Sequence, residues 1–198
     1  MPLSTEQLLL LNNLMYMTAE EPLRSITAET YQGRTVRTMI ELIDIKRFDE
    51  EKNYGSYMTG TDWQQILRSI QKDERLMQMT LAQTYVDTGV GGGGGVSALF
   101  TEPGLEEAVV CYRGTAGGEW KDNFIGGGET DVLDGVSTLQ QKNALSWYQS
   151  LALEDYATVT VTGHSKGGNK AKYVTILEPS VDRCVAFDGQ GFSDEFVK

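Results

Sequence analysis

The sequence predicts an α/β fold, a partial and mostly parallel sheet preceded by N-terminal helices. Three observations predict it. Short apolar or β-branched runs at 96–100 (VSALF), 108–112 (AVVCY), 158–162 (TVTVT) and 183–187 (RCVAF) have the length and composition of strands. Helix-length segments separate the later runs, and strands that alternate with helices build parallel sheets. The first part of the chain instead shows helical periodicity. The expected division is therefore a helical N-terminal region, 1–74, and an α/β core, 75–198. A chain of 198 residues is long enough to bury a core without disulfide or metal staples.

Each element has its own justification. Ser4 followed by Gln7 forms a capping box, and behind it Leu8, Leu11, Leu14 and Met15 share one helical face. Val36, Met39, Ile40 and Ile43 give a second helix within 35–45. Thr61 with Gln64 opens a third, carrying Trp63, Ile66, Leu67 and Ile70. None of these helices carries recognisable chemistry. Apolar and polar residues alternate from Met77 through Met79 to Leu81, the pattern of a strand with a helical reading still open. The glycines at 91–95 make a hairpin loop. A phosphate cradle there would need Lys-Ser or Lys-Thr and then a helix, and the strand 96–100 follows instead. The strand 108–112 ends at Arg113-Gly114-Thr115, and a glycine-rich loop spans 116–128. Ser137 with Gln140 caps a helix running to about Leu153. The strand 158–162 is buried, and a sharp turn at 163–168 leads into a helix over 169–177 that stops before Pro179. The run 183–187 is the last strand.

Composition excludes several functions. Lys and Arg total 17 against 28 Asp and Glu, a net charge of −11. That sign repels polyphosphate and anionic lipid, so no nucleic-acid partner and no charge-driven membrane docking are expected. Cys111 and Cys184 make no disulfide framework or zinc site and read as small apolar core residues. One histidine builds no multi-histidine metal site, and no cofactor is implied. Glu129, Asp131 and Asp134 fit no EF-hand spacing. The acidic clusters Asp49-Glu50-Glu51 and Glu106-Glu107 read as solvated surface. The apolar run at 8–11 lacks the basic flank and length of a signal peptide, and no stretch is long enough to span a membrane. A cytoplasmic location is expected, with signal-independent export as the other route.

The chemistry sits in Gly163-His164-Ser165-Lys166-Gly167-Gly168-Asn169. This is Gly-x-Ser-x-Gly, entered from a buried strand and left by a helix, the context a serine nucleophile requires. The glycines allow a tight turn, and the helix N-terminus favours developing negative charge. Ser165 is the candidate nucleophile. An acyl-transfer nucleophile needs an oxyanion hole. The backbone N–H of Lys166 is one candidate donor, and that of Thr115, in the turn after an earlier strand, is the second.

Three segments in order, Cys111-Tyr112-Arg113-Gly114-Thr115, Glu119-Trp120-Lys121-Asp122-Asn123 and Val161 to Asn169, resemble the class 3 (fungal-type) lipase-like α/β-hydrolases. More closely they resemble an uncharacterised bacterial lipase-like family with a Gly-His-Ser-Lys-Gly-Gly-Asn nucleophile elbow. Asp188-Gly189-Gln190-Gly191-Phe192 adds to the likeness, which covers about residues 75 to 198. The resemblance implies Ser165 as nucleophile, Thr115 and Lys166 as oxyanion donors, and Trp120 at a lid position. It implies a small-molecule or lipid ester as substrate.

One feature departs from that pattern. Such hydrolases order their triad Ser, acid, His, and no histidine follows Ser165. The sole histidine, His164, precedes the serine on a tight turn and is expected to be structural, as is Asp188 beside the site. The expectation is a chain truncated before the triad acid and base, inactive alone and an ester hydrolase when complete. The alternative is a catalytically inactive hydrolase-fold binding module.

Overall fold

A computed structural model describes residues 1–55, 58–87, 95–114, 137–192 and 196. Among them, six strands form one mixed sheet in the order β1 (Arg34–Thr35), β4 (Thr80–Val86), β5 (Val96–Thr101), β6 (Glu107–Tyr112), β7 (Thr158–His164), β8 (Arg183–Phe187). A two-stranded ribbon pairs β2 (Asn53–Tyr54) with β3 (Met58–Thr59). The α/β class holds, but the mostly parallel sheet does not. Pairs β1/β4, β4/β5 and β5/β6 are antiparallel, and only β6/β7 and β7/β8 are parallel. Connection length explains this. Short links join β4 to β5 and β5 to β6, and a short link can only reverse the chain. A parallel return needs a crossover, and the helices α5 (Leu139–Gln149) and α6 (Lys166–Leu177) lie in the two crossovers that follow. Strands β6, β7 and β8 therefore end together at one rim of the sheet.

Both faces of the central strands are covered. On one face Phe100, Val109 and Cys111 pack against Leu8, Leu11, Leu14, Trp63 and Leu67 from α1 (Thr5–Leu14) and α3 (Gly60–Gln71). On the other, Leu99, Val110 and Tyr112 pack against Ala144, Trp147, Ala171 and Val174 from α5 and α6. Successive strand residues point to opposite faces, so β5 and β6 are buried on both sides and read as continuous apolar runs. Cys111 is fully buried as a core residue, and burial pushes its thiol well above the ordinary range. Cys184 is half-buried on β8, and both cysteines are free thiols.

Helix starts follow local chemistry with small shifts. Ser4 and Gln7 form the expected capping box of α1. Helix α2 (Val36–Glu41) is capped by Thr35 and buries Val36, Met39 and Ile40. Helix α3 is boxed by Thr59 and Asp62, not by Thr61 and Gln64. Helix α5 is boxed by Thr138 and Gln141, one residue beyond the expected pair. There Ser137 instead accepts a bond from the Tyr173 hydroxyl at 2.9 Å. The ambiguous stretch around Met77 divides into a short helix, α4 (Glu74–Gln78), and β4.

Glu107 corrects the surface reading of its pair. Glu106 is exposed, but Glu107 is only 1% exposed, on the face of β6 that the N-terminal segment covers. It accepts the backbone N–H of Leu3 at 2.6 Å and the Thr160 hydroxyl at 2.5 Å, with Arg75 at 3.4 Å. A buried carboxylate is tolerated only with such partners. Among the described residues no helix is long and apolar enough to cross a membrane.

Tyr31 is fully buried, and its hydroxyl has no hydrogen-bond partner among the described residues. Burial raises its pKa from 10.0 to about 12, opposed by the positive charge of Arg24. The unfolded chain ionises first, so Tyr31 contributes its stability below pH 10 and loses it as pH rises toward 12. Tyr31→Phe is expected to raise stability at neutral pH by roughly 1 kcal/mol, by removing an unsatisfied hydroxyl. It is also expected to soften the alkaline loss. Urea unfolding at neutral and alkaline pH checks both.

Candidate functional site

The shared rim of β6, β7 and β8 carries an unusual backbone. Ser165 joins β7 directly to α6 with φ 55° and ψ −120°. A non-glycine residue there is strained by about 1–3 kcal/mol and must be held by its surroundings. Its N–H donates to the Phe187 carbonyl at 2.8 Å, tying it to the end of β8. Its carbonyl accepts the N–H groups of Asn169 and Gln190 at 3.2 and 3.3 Å. The side chain makes no capping bond to the helix that it begins.

Two glycines make the junction possible. A Cβ on Gly167 would lie 2.0 Å from the Tyr112 carbonyl oxygen, so the first turn of α6 rests on the backbone end of β6. A Cβ on Gly163 would lie 2.3 Å from Gly167 backbone atoms. No larger residue allows a helix to begin so close to two strand ends. Asn169 is fully buried one turn into the helix. It accepts from Gln141 at 2.8 Å and donates to the Gly191 carbonyl at 2.7 Å. Lys172 donates to the Gln190 carbonyl at 2.6 Å. These bonds fix the segment after β8 against the helix.

The turn after β6 abuts the serine. A Cβ on Gly114 would lie 3.3 Å from Ser165 Cβ, 2.6 Å from the His164 carbonyl oxygen and 2.5 Å from Tyr16 Oη. Thr115 and Trp120 lie outside the described residues, as do Glu129, Asp131 and Asp134. Lys166 is the first residue of α6, and its side chain is only 2% exposed. His164 is half-buried, and its Nδ1 lies 2.9 Å from Tyr16 Oη with the two rings edge to face. Asp188, with φ 46°, follows β8 as an exposed residue beside the junction.

Tyr16 was not legible as a site residue. It follows α1 in a region without motifs, and only the packing of that helix on β7 brings its hydroxyl to Gly114 and His164.

The Mbeg1-like family model matches residues 71–198. The chain belongs to the Mbeg1-like family. The match corrects the expected class 3, fungal-type assignment and its uncharacterised bacterial variant. It brings no support for their Gly-His-Ser-Lys-Gly-Gly-Asn elbow as a family signature, nor for a truncated triad. No curated protein matches this Mbeg1-like chain. Among the described residues, no group of three or more His, Cys, Asp or Glu is placed to hold a metal ion.

The strain at Ser165 has a measurable consequence. Ser165→Gly is expected to stabilise the fold by about 1 kcal/mol relative to Ser165→Ala, since glycine adopts this φ without a steric penalty. Gly167→Ala is expected to destabilise by at least about 2 kcal/mol, because the Tyr112 carbonyl is backbone and cannot swing aside. Urea unfolding of the three variants tests both.

Proposed function

We propose that the chain carries the nucleophile of a lipase/esterase-like serine hydrolase. The observation that carries this reading is Ser165 held at φ 55° between β7 and α6, at the C-terminal rim of three parallel strands. Such rims are the usual ligand sites of α/β sheets, and strained backbone concentrates at functional positions. Membership in the Mbeg1-like family, a lipase-like family name, supports a hydrolase.

In the proposed reaction Ser165 Oγ bonds to the carbonyl carbon of a carboxylic ester of a small molecule or lipid. The ester C–O bond breaks, and the departing alcohol takes up the proton that the serine gave up. Water then cleaves the acyl-enzyme, releasing the carboxylic acid and restoring the serine. The amides of Lys166 and Thr115 are the proposed oxyanion donors. The position of Lys166 at the start of α6 supports the first. The placement of Gly114, the residue before Thr115, beside Ser165 supports the second. Trp120 is proposed as a substrate or lid residue. No cofactor enters the scheme.

One observation favours a second reading, a hydrolase scaffold that binds without cleaving: the only imidazole of the chain is engaged by Tyr16. A fluorophosphonate probe and a chromogenic short-chain ester separate the two. The hydrolase reading expects covalent labelling that Ser165→Ala abolishes, and ester turnover lost in the same variant. Absence of labelling in the unaltered protein, or equal labelling after Ser165→Ala, overturns the nucleophile. Labelling without turnover favours the binding scaffold.

A further inference from the structure

We propose that Tyr16 is a positioning residue for this site, acting through His164, so that the N-terminal segment is part of the serine site. The inference rests on Ser165 being the nucleophile. It starts from one face of β7. Thr160, Thr162 and His164 alternate along the strand and so point to the same side. The N-terminal segment answers each of them. The Thr160 hydroxyl and the Leu3 N–H share the Glu107 carboxylate. The buried Asn12 side chain donates to Thr162 Oγ1 at 2.9 Å. Tyr16 Oη meets His164 Nδ1 at 2.9 Å.

The spacing of the last two contacts is geometric. Asn12 lies in the last turn of α1, and Tyr16 lies two residues beyond its end, in a turn where its N–H donates to the Asn13 carbonyl at 3.0 Å. Thr162 and His164 are two apart on the strand, about 6.6 Å. The two contacts advance in the same direction along both segments. Burying Asn12 on Thr162 therefore delivers Tyr16 to the rim where Ser165 sits.

There the phenol is bonded to His164 and lies beside Gly114. Its oxygen lies 2.5 Å from the point where a Gly114 Cβ would stand, and Ser165 Cβ lies 3.3 Å from the same point. Gly114 precedes the proposed oxyanion donor, and His164 precedes the proposed nucleophile. A group bonded to one wall and seated beside the other bears on their separation. Acyl transfer is sensitive to that separation, because a displacement of about 1 Å at reacting groups is costly in rate.

The chain has one histidine, so its imidazole ¹⁵N resonances need no assignment. The test compares the unaltered 198-residue chain with Tyr16→Phe, His164→Phe and the double variant. Tyr16→Phe keeps the ring and removes only the hydroxyl. It is expected to leave the circular dichroism unchanged, to shift the imidazole ¹⁵N resonances, and to slow fluorophosphonate labelling about five- to tenfold, the effect of one lost hydrogen bond. The double variant is expected to be no slower than His164→Phe, since the proposed route runs through the Tyr16–His164 bond. Unchanged labelling in Tyr16→Phe overturns the role of Tyr16. So does slower labelling with an unmoved imidazole signal, or additive losses in the double variant, because either removes the route through His164. No labelling of the unaltered protein overturns instead the serine reading beneath it.

Discussion

A helix cannot begin flush against the end of a strand when its first turn carries side chains, because they would occupy the strand's own backbone. In this protein that steric conflict is removed at Gly163 and Gly167, whose absent Cβ atoms let α6 rest on β6 and β7. Once the helix sits there, the linking residue has no choice of conformation. Ser165 is forced to positive φ and is held by hydrogen bonds from β8, from α6 and from the segment after β8. Strain of this kind persists only when several elements over-determine it. The close approach of α6 and the display of a serine at the sheet rim are thus one structural event.

The second dependence runs through the N-terminal layer. The α1 and α3 side chains form a single core with one face of β5 and β6, so the sheet is not covered without them. The polar contacts beneath α1 sit in the same low-dielectric space. Glu107 is buried and is kept tolerable by the Leu3 amide, the Thr160 hydroxyl and Arg75. Asn12 is buried and bonded to Thr162. Buried polar groups satisfied in this way carry a large penalty for any other arrangement, which fixes how α1 lies along β7. Apolar packing supplies the cover, and the polar contacts set its register.

Local patterns were readable where the competing interpretations had different periods. The buried positions of α1 follow from spacing, and the strands around 96–112 and the β-branched run into Ser165 from length and composition. Capping was readable in kind but not to the residue. Thr59 with Asp62 and Thr61 with Gln64 have the same spacing, and only the geometry of entry into α3 selects the first pair. Thr138 displaces Ser137 because Ser137 is taken by Tyr173 on α6. Strand direction was misjudged because composition does not record which neighbour a strand pairs with. The short links beside β5 force antiparallel pairing, whatever the residues inside the strands favour.

The sequence by itself determined the apolar periodicities, the strand–glycine–serine–helix succession and the acidic balance, since each depends on residues close together in the chain. Tertiary structure alone decided the mixed sheet, the burial of Glu107 and the meeting of Tyr16 with His164 and Gly114. Those features join residues far apart in the chain. Their energies come from desolvation and contact, which exist only after the layers have closed on one another.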